Sequence, residues 1–586
     1  MAENLSTLRH STEHVLMQAL NNLYPGKITP AMGPSTPDGF YYDFDTQIKI
    51  TTENFSQIEA EMKRIITADL PITRQEITPA EARVLFKNNP YKQEWITEAE
   101  SRGESLTVYY TGKPGDENSF VDLCTGPHLS KTGHIKAFKL LSIAGAYWRG
   151  DEKNQMLTRL YGTAYPNQSE LDLYLQRIEQ AKNCDHRKLG KQLDLFTFSD
   201  LVGSGLPLFT PKGALVRRLL NEYIESIQTK AGYQQVWTPQ VSRAELFKVS
   251  GHYDKYKDSM FRVVSNYSKE ELFLKPMNCP QHTQIYASKA RSYRDLPLRL
   301  TDFAMLYRDE KPGELSGLAR VRSFSQDDCH VFCTEDQVDQ EIDTALTMTK
   351  EVMSHFGFQY KYRLSTRDPQ KIDQYLGNPQ TWDKVEAWAE KIMKRHQIDY
   401  FAGPGEAAFY APKMDLIATD ALGRDWQLST IQIDYVLPER FKLTYIDKDG
   451  QEKNPVMIHR AIIGSPERFI MILLEQFAGA FPLWLSPIQV KILPISDKNL
   501  EYAQKIFQHL QKEGARVELD QSAESLGKKI RNAESEKIPY MIILGEKEVT
   551  EKLISLRQRG EKNLGQMTIE QFTAKITTEI NQKVIF

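Results

Sequence analysis

The chain has 586 residues with 74 basic and 77 acidic side chains, a net charge of -3, 40% hydrophobic and 26% charged residues. These ordinary proportions exclude disordered, collagen-like and coiled-coil classes, and the length calls for roughly three or four domains, not one core. The longest apolar runs, 469–474 and 540–544, are far short of the ~20 residues that cross a bilayer, and the start MAENLSTLRHSTEH lacks the basic and apolar stretches of a secretory signal. A cytoplasmic location is expected. Cys124, Cys184, Cys279, Cys329 and Cys333 are an odd set that reads as candidate ligands or nucleophiles, not as a disulfide framework.

In chain order, residues 1 to about 180 alternate helices with short strands and form a first α+β domain. The polar, basic stretch 181–195 (AKNCDHRKLGKQLDL) predicts a helical connector. Residues 196–485 mix alternating strands with long helices such as 334–356, which predicts an antiparallel-sheet α+β domain. From 486 to 586 the order VKILPI, helix 499–513, RVELD, helix 526–536, YMIILG, LISLRQRG and a terminal helix predicts a compact α/β domain.

Four places carry chemistry. On the first helix Leu8, Val15, Leu16, Ala19, Leu20 and Leu23 form an apolar stripe, with His10 and His14 together on the opposite, exposed side. Downstream, Gly126 and Pro127 in DLCTGPH impose a turn that can bring Cys124 and His128 together. HxxxH with CxxxH is the strongest metal-like spacing in the chain, although, taken alone, the first half is better accounted for by two solvated histidines than by a site. In RVRSFSQDDCHVF, alternation puts Arg322, Phe324, Gln326, Asp328 and His330 on one strand face and Cys329 on the other; a solvated face explains these residues as well as a site does. In GSPERF, Ser465 is an N-cap, Pro466 takes the first helical position and Arg468 falls in the first turn. Near the end, Ser555, Arg557 and Arg559 share a strand face. No Gly-x-x-x-x-Gly-Lys phosphate loop is present, which argues against a P-loop nucleotide-binding fold.

The segments KPMNCPQH (275–282), SQDDCH (325–330) and VMIHRAIIGSPERF (456–469), with RHSTEH, GFYYDF, DLCTGPH, GEKEV and LISLRQRG, resemble class II threonyl-tRNA synthetases of the bacterial type over nearly the whole chain. The resemblance implies an α+β protein: an editing domain (1–180), the connector (181–195), a class II antiparallel-sheet catalytic domain (196–485) and an anticodon-binding domain (486–586). It implies that Cys279, His330 and His459 hold one Zn²⁺ with a position open for the amino and hydroxyl groups of threonine. Asp328 would then accept from that hydroxyl and Gln326 help hold the amine. It implies Arg308 for the α-phosphate of ATP supplied with Mg²⁺, Glu310 near the adenine amine, Arg320 for the γ-phosphate and Arg468 against adenine. Tyr410, Lys413, Gln427, Thr430 and Gln432 fall in segments similar to those lining the family's pocket.

Valine, without a hydroxyl, would be rejected on the order of 10⁴-fold, whereas serine lacks only a methyl, worth ~1–3 kcal/mol. A second, hydrolytic site is therefore needed. The resemblance implies His10, His14, Cys124 and His128 as orienting groups for the ester and water of seryl-tRNA, assisted by Tyr42, Lys92 and Asp122, and Glu548 and Arg557 as anticodon contacts. A motif-1-like segment ending at Pro239, which periodicity alone reads as an ordinary helix and strand, implies a homodimer. The expected partners are tRNA(Thr), threonine and ATP, with no membrane. The alternative is a catalytically silent tRNA-binding paralogue. Two departures stand out: the motif-2 loop reads Lys311-Pro312-Gly313-Glu314, and the chain opens on the editing domain where many relatives carry a further small one.

Overall fold

The first helix, Ala2–Leu23, lies on a five-stranded antiparallel sheet that runs Ile28–Met32, Gly39–Thr46, Met156–Tyr165, Ala137–Tyr147, with Ser35–Thr36 paired to Gly39–Thr46. In this computed structural model, which describes residues 2–36, 38–116, 119–151, 153–420 and 423–585, the chain divides into two units, Met1–Glu179 and Gln180–Phe586. In the first unit Leu8, Val15, Leu16 and Leu20 pack with Phe40, Phe44 and Leu160 as the stripe requires. The opposite side is not solvated as expected: every residue from Ser11 to Leu20 is buried, His14 to 1% exposure. Ser11 and Thr12 are tolerated there because their hydroxyls donate to the Thr7 and Leu8 carbonyls. A second sheet, Ile72–Ile77, Leu106–Thr111 and Phe120–Leu123, is covered by the helices Pro79–Leu85 and Pro90–Arg102 through Ala82, Ile96 and Val108. Its last strand delivers Asp122 and the loop that follows.

Helix Gln168–Asn183 carries the chain into the second unit, and the stretch expected as a connector holds its end and the short helix His186–Gln192. Beyond it an eight-stranded sheet runs Gln234–Gln235, Leu298–Tyr307, Ser323–Cys333, Val456–Ala461, Asp425–Asp434, Lys413–Thr419, Gln359–Thr366, Tyr400–Pro404. Its interior is antiparallel; only the two edge pairings are parallel. Helices Pro211–Lys230, Val338–Phe356 and Pro466–Gln476 cover one face with Val216, Leu220, Ile342, Leu346, Phe469 and Leu473. The apolar run 469–474 is thus interior helix, and the other face is left for polar groups. Helix Val338–Phe356 repeats its buried residues at helical spacing and closes on Gly357 at φ +70°, a left-handed cap that needs no Cβ.

The C-terminal sheet runs Val517–Leu519, Val490–Pro494, Tyr540–Leu544, Ile554–Gln558, Lys562–Met567, parallel across the first three strands and antiparallel across the last. The final strand, KNLGQM, was not expected because its residues are largely exposed and offer no apolar alternation. Arg559 lies past the end of its strand, and its guanidinium donates to the carbonyls of Lys537, Ala480 and Phe481, so it does not share a free face with Arg557. Among the described residues no helix is long and apolar enough to cross a membrane.

Candidate functional site

Strand register assembles the larger site. Lys413 stands opposite Gln432, Gln432 opposite His459, and His459 opposite His330, so four side chains far apart in sequence form one row across the sheet. Asp328 and Gln326 follow at alternate positions on the strand of His330. Cys279 opens the helix Cys279–Ala287 and is buried. A ligand atom from each of Cys279, His330 and His459 lies within 4.8 Å of the others.

The protons around this triad can be assigned. Asp434 accepts the N–H groups of Val436 and Leu437 at 2.7 and 3.0 Å and lies 2.8 Å from His459 Nε2. His459 therefore donates from Nε2 and presents a lone pair at Nδ1, which faces His330 Nε2 at 3.0 Å. On its other side His330 Nδ1 meets His282 Nδ1 at 2.7 Å. Burial lowers the pKa of His330 well below that of a free imidazole, which favours its neutral, ligating form. Burial pushes the Cys279 thiol up. Two imidazoles and a sulfur converging behind a carboxylate that orients one ring fit a Zn²⁺ ion better than any hard cation.

A cleft of about 850 Å³ opens from this point. Its walls include Cys279, His459, Gln326, Asp328, Tyr410, Lys413, Gln427, Thr430 and Gln432 toward one end, and Arg308, Glu310, Arg320 and Arg468 toward the other. His330 is fully buried. Arg308 and Glu310 sit just past the strand end at Tyr307. The Arg308 guanidinium lies 5.1 Å over Phe324 and its buried Nε has no partner. Arg320 is ion-paired with Glu310 at 2.8 Å and Glu314 at 2.9 Å. Arg468 is bonded by its Nε to the Ala319 carbonyl at 3.1 Å and by Nη1 to that of Gln427 at 3.3 Å, over Trp426. Burial, and next the nearby Arg308 and Arg320, lower its pKa: three guanidiniums crowd one end of the cleft, an arrangement suited to a polyanion.

Several residues that hold this site were not anticipated. Buried Asp415 accepts from Lys413 at 3.1 Å, Thr430 at 2.8 Å and Gln427 at 2.9 Å; its place two residues after Lys413 on the same strand face was the signal. Asp434 had the same signal, two residues after Gln432. His186 donates from Nδ1 to Glu475 at 2.7 Å and accepts the Leu318 N–H at Nε2, 3.1 Å, which ties the loop carrying Arg320 to the helix carrying Arg468.

In the N-terminal unit, His10, His14, Cys124 and His128 converge with ligand-type atoms within 4.8 Å of one another. Cys124 Sγ is 3.2 Å from both His10 Nε2 and His128 Nε2, and accepts the Gly126 N–H at 3.3 Å. Burial pushes its thiol up to about 12 and the His128 imidazole far down. Behind them Asp122 is bonded to Tyr42 and lies 2.5 Å from Lys92. Glu13, not anticipated, is 1% exposed and enters the same cluster; its position three residues after His10 was the available signal.

At the C-terminal end Glu548 accepts from the Gly545 N–H at 2.9 Å, Ser555 at 2.8 Å and Gln566 at 2.7 Å. Arg557 is 3.8 Å from Glu534, and its buried Nε is otherwise without a partner. The two are thus held in different local networks.

Comparison with known proteins agrees with this anatomy. Residues 261–477 match the tRNA synthetase class II core domain (G, H, P, S and T) family, 489–579 the anticodon binding domain family, and 106–161 the threonyl and alanyl tRNA synthetase second additional domain family. The threonine-tRNA ligase of Rubrobacter xylanophilus is 46% identical over 582 residues, covering 99% of this chain and 89% of that protein; the threonine-tRNA ligase of Gloeobacter violaceus is 47% identical over 596 residues, covering 99% and 93%. The crystal structure of the RNA binding domain of threonyl-tRNA synthetase from Cryptosporidium parvum is 38% identical, with a TM-score of 0.64 over 67% of this chain and 98% of its own. With nearly its whole length matched at this identity, the chain belongs to the threonine-tRNA ligase family of class II aminoacyl-tRNA synthetases.

Proposed function

We propose that the chain attaches threonine to tRNA(Thr) through a threonyl-adenylate and hydrolyses seryl-tRNA(Thr) in its N-terminal unit. The observation that carries this reading is the single cleft whose walls hold a thiol and imidazole ligand set at one end and three crowded guanidiniums at the other.

Cys279, His330 and His459 would hold Zn²⁺, which supplies a Lewis acid for the amino and hydroxyl groups of threonine. Asp328, buried beside His330, accepts from the substrate hydroxyl, and Gln326 orients the amine. Tyr410 packs 5.0 Å from the His459 ring and closes the amino-acid end. Lys413, Gln427, Thr430 and Gln432 hold the carboxylate and ribose region, kept in position by Asp415. The Gln432 Oε1, buried and without a partner in the chain, supports that role.

ATP enters with Mg²⁺. A threonine carboxylate oxygen attacks the α-phosphorus, the bond to the bridging oxygen breaks and pyrophosphate leaves. Arg308 and Arg468 meet the charge that grows on the α-phosphoryl oxygens, Glu310 accepts from the adenine amine, and Arg320 turns from Glu314 to the γ-phosphate. Such preorganised cations supply the largest share of stabilisation because they need no rearrangement as charge develops.

Serine enters this site with a loss of only about 1–3 kcal/mol, so His10, His14, Cys124 and His128, with Tyr42, Lys92 and Asp122, clear the seryl ester. Glu548 and Arg557 contact anticodon bases. The homodimer is supported by Trp237, 76% exposed, and Val241, 39% exposed, in the segment after helix Pro211–Lys230. A cytosolic location is supported by five cysteines that are all free thiols.

Charging assays on the full chain separate the two activities. Wild-type protein is expected to form threonyl-tRNA and no lasting seryl-tRNA, while Cys124→Ala keeps the rate of threonine charging and accumulates seryl-tRNA. Absence of threonyl-tRNA formation by folded wild-type protein would sink the ligase reading. Undiminished clearance of seryl-tRNA by Cys124→Ala would remove this cluster from editing.

A further inference from the structure

The hydrogen bonds of the N-terminal cluster fix the position of nearly every proton in it. Pro127 offers only a carbonyl, so His10 donates to it from Nδ1 at 3.2 Å and keeps a lone pair at Nε2. Ser11 Oγ donates its one proton to the Thr7 carbonyl at 2.9 Å and accepts the Leu129 N–H at 2.8 Å, so its contact with His128 Nδ1 at 3.2 Å is accepted from the ring. His128 Nε2 is then the acceptor for the Cys124 thiol proton.

Glu13 is left over. Its Oε1 lies 3.4 Å from His10 Nε2, and its Oε2 is buried with no partner. A carboxylate oxygen against an imidazole lone pair sets two acceptors face to face, and the contact is favourable only with one proton between them. Burial raises the carboxyl pKa well above its usual range, with Asp122 adding to the rise and Lys92 opposing it. Burial lowers that of the His10 imidazole, against the Pro127 carbonyl and Asp122, so the shared proton rests on Glu13 Oε1. His10, 16% exposed at its side chain, gives the pair access to solvent.

We propose that Glu13 and His10 form one proton-sharing pair in this site, with Glu13 Oε2 taking a proton from the attacking water. The proposal rests on the reading of the cluster as an ester hydrolase. In the step, the water oxygen forms a bond to the seryl carbonyl carbon and loses a proton to Glu13 Oε2. As Oε2 takes that proton, the shared one passes from Glu13 Oε1 to His10 Nε2. The bond from the carbonyl carbon to the ribose oxygen breaks, and the ribose oxygen takes the proton from His10 Nε2. The products are serine and a free ribose hydroxyl, and Glu13, protonated at Oε2, again shares one proton with His10. The titratable groups around Glu13 are His10 and His14 on its own helix, Tyr41 and Tyr42 from strand Gly39–Thr46, Lys92, Asp122 and Cys124.

The test is seryl-tRNA hydrolysis by the full chain across pH, with threonine charging and thermal melting as controls. Glu13→Gln keeps the shape and removes the titrating oxygen. It is expected to slow hydrolysis on the order of 10²-fold and to move the acid limb of the pH profile, with charging and melting unchanged and no further slowing in a His10→Ala background. A wild-type rate and profile in Glu13→Gln, or full additivity with His10→Ala, overturns the pair. Should the glutamine variant melt, Glu13→Asp decides: a slowed rate with the acid limb retained supports the pair, and an unchanged rate counts against it. If wild-type protein charges threonine yet leaves seryl-tRNA intact, the hydrolase reading itself fails and the proposal falls with it.

Discussion

Replacing His459 by alanine is expected to remove zinc from the purified protein and lower threonine-dependent ATP-pyrophosphate exchange on the order of 10³-fold, measured by metal analysis and exchange on the same preparation. The reason lies in the row that ends at His330. The donor atom of His459 is dictated by a neighbour, because Asp434 takes the proton at Nε2 and leaves Nδ1 to face His330 at 3.0 Å. Asp434→Asn keeps the volume and weakens that dictation, so a smaller loss of zinc affinity, about 10–100-fold, accompanies it. Full zinc content and full exchange in His459→Ala would contradict the assignment of the ligand set.

Arg468→Ala is expected to lower kcat/KM for ATP by about 10²–10³-fold, with KM for threonine little changed. Arg468 reaches the cleft from the first turn of the helix Pro466–Gln476, where the Ser465 side chain accepts its N–H at 3.5 Å. Its guanidinium also bonds to the Ala319 and Gln427 carbonyls. Lysine offers one point charge in place of that planar fork, so Arg468→Lys recovers little. Equal losses for ATP and threonine would point to general damage, which melting curves would reveal.

The face of RVRSFSQDDCHVF was legible from alternation alone, because a strand has only two sides and ligand-type residues fell on one of them. Which other strands lie beside it was not, since His330, His459, Gln432 and Lys413 meet through register between segments dozens of residues apart. Here the motifs supplied what periodicity withheld. Of the partners behind the site, Asp415 and Asp434 stand two residues after Lys413 and Gln432 on their strands, a pattern open to alternation, whereas His282 reaches His330 from a helix 48 residues away and leaves no local pattern. The first helix failed differently: its apolar stripe is real, but its polar side is also covered, so a reading that equates polar with exposed misplaced His14. The strand Lys562–Met567 failed for the opposite reason, being too exposed to alternate.

ATP-pyrophosphate exchange by the purified full chain with threonine, serine and valine, before and after zinc removal, tests the central claim most directly. The account predicts strong exchange with threonine, weaker exchange with serine, almost none with valine, and loss of all exchange with the metal. A folded, zinc-loaded protein that supports exchange with no amino acid would contradict it and leave the silent tRNA-binding paralogue as the better description.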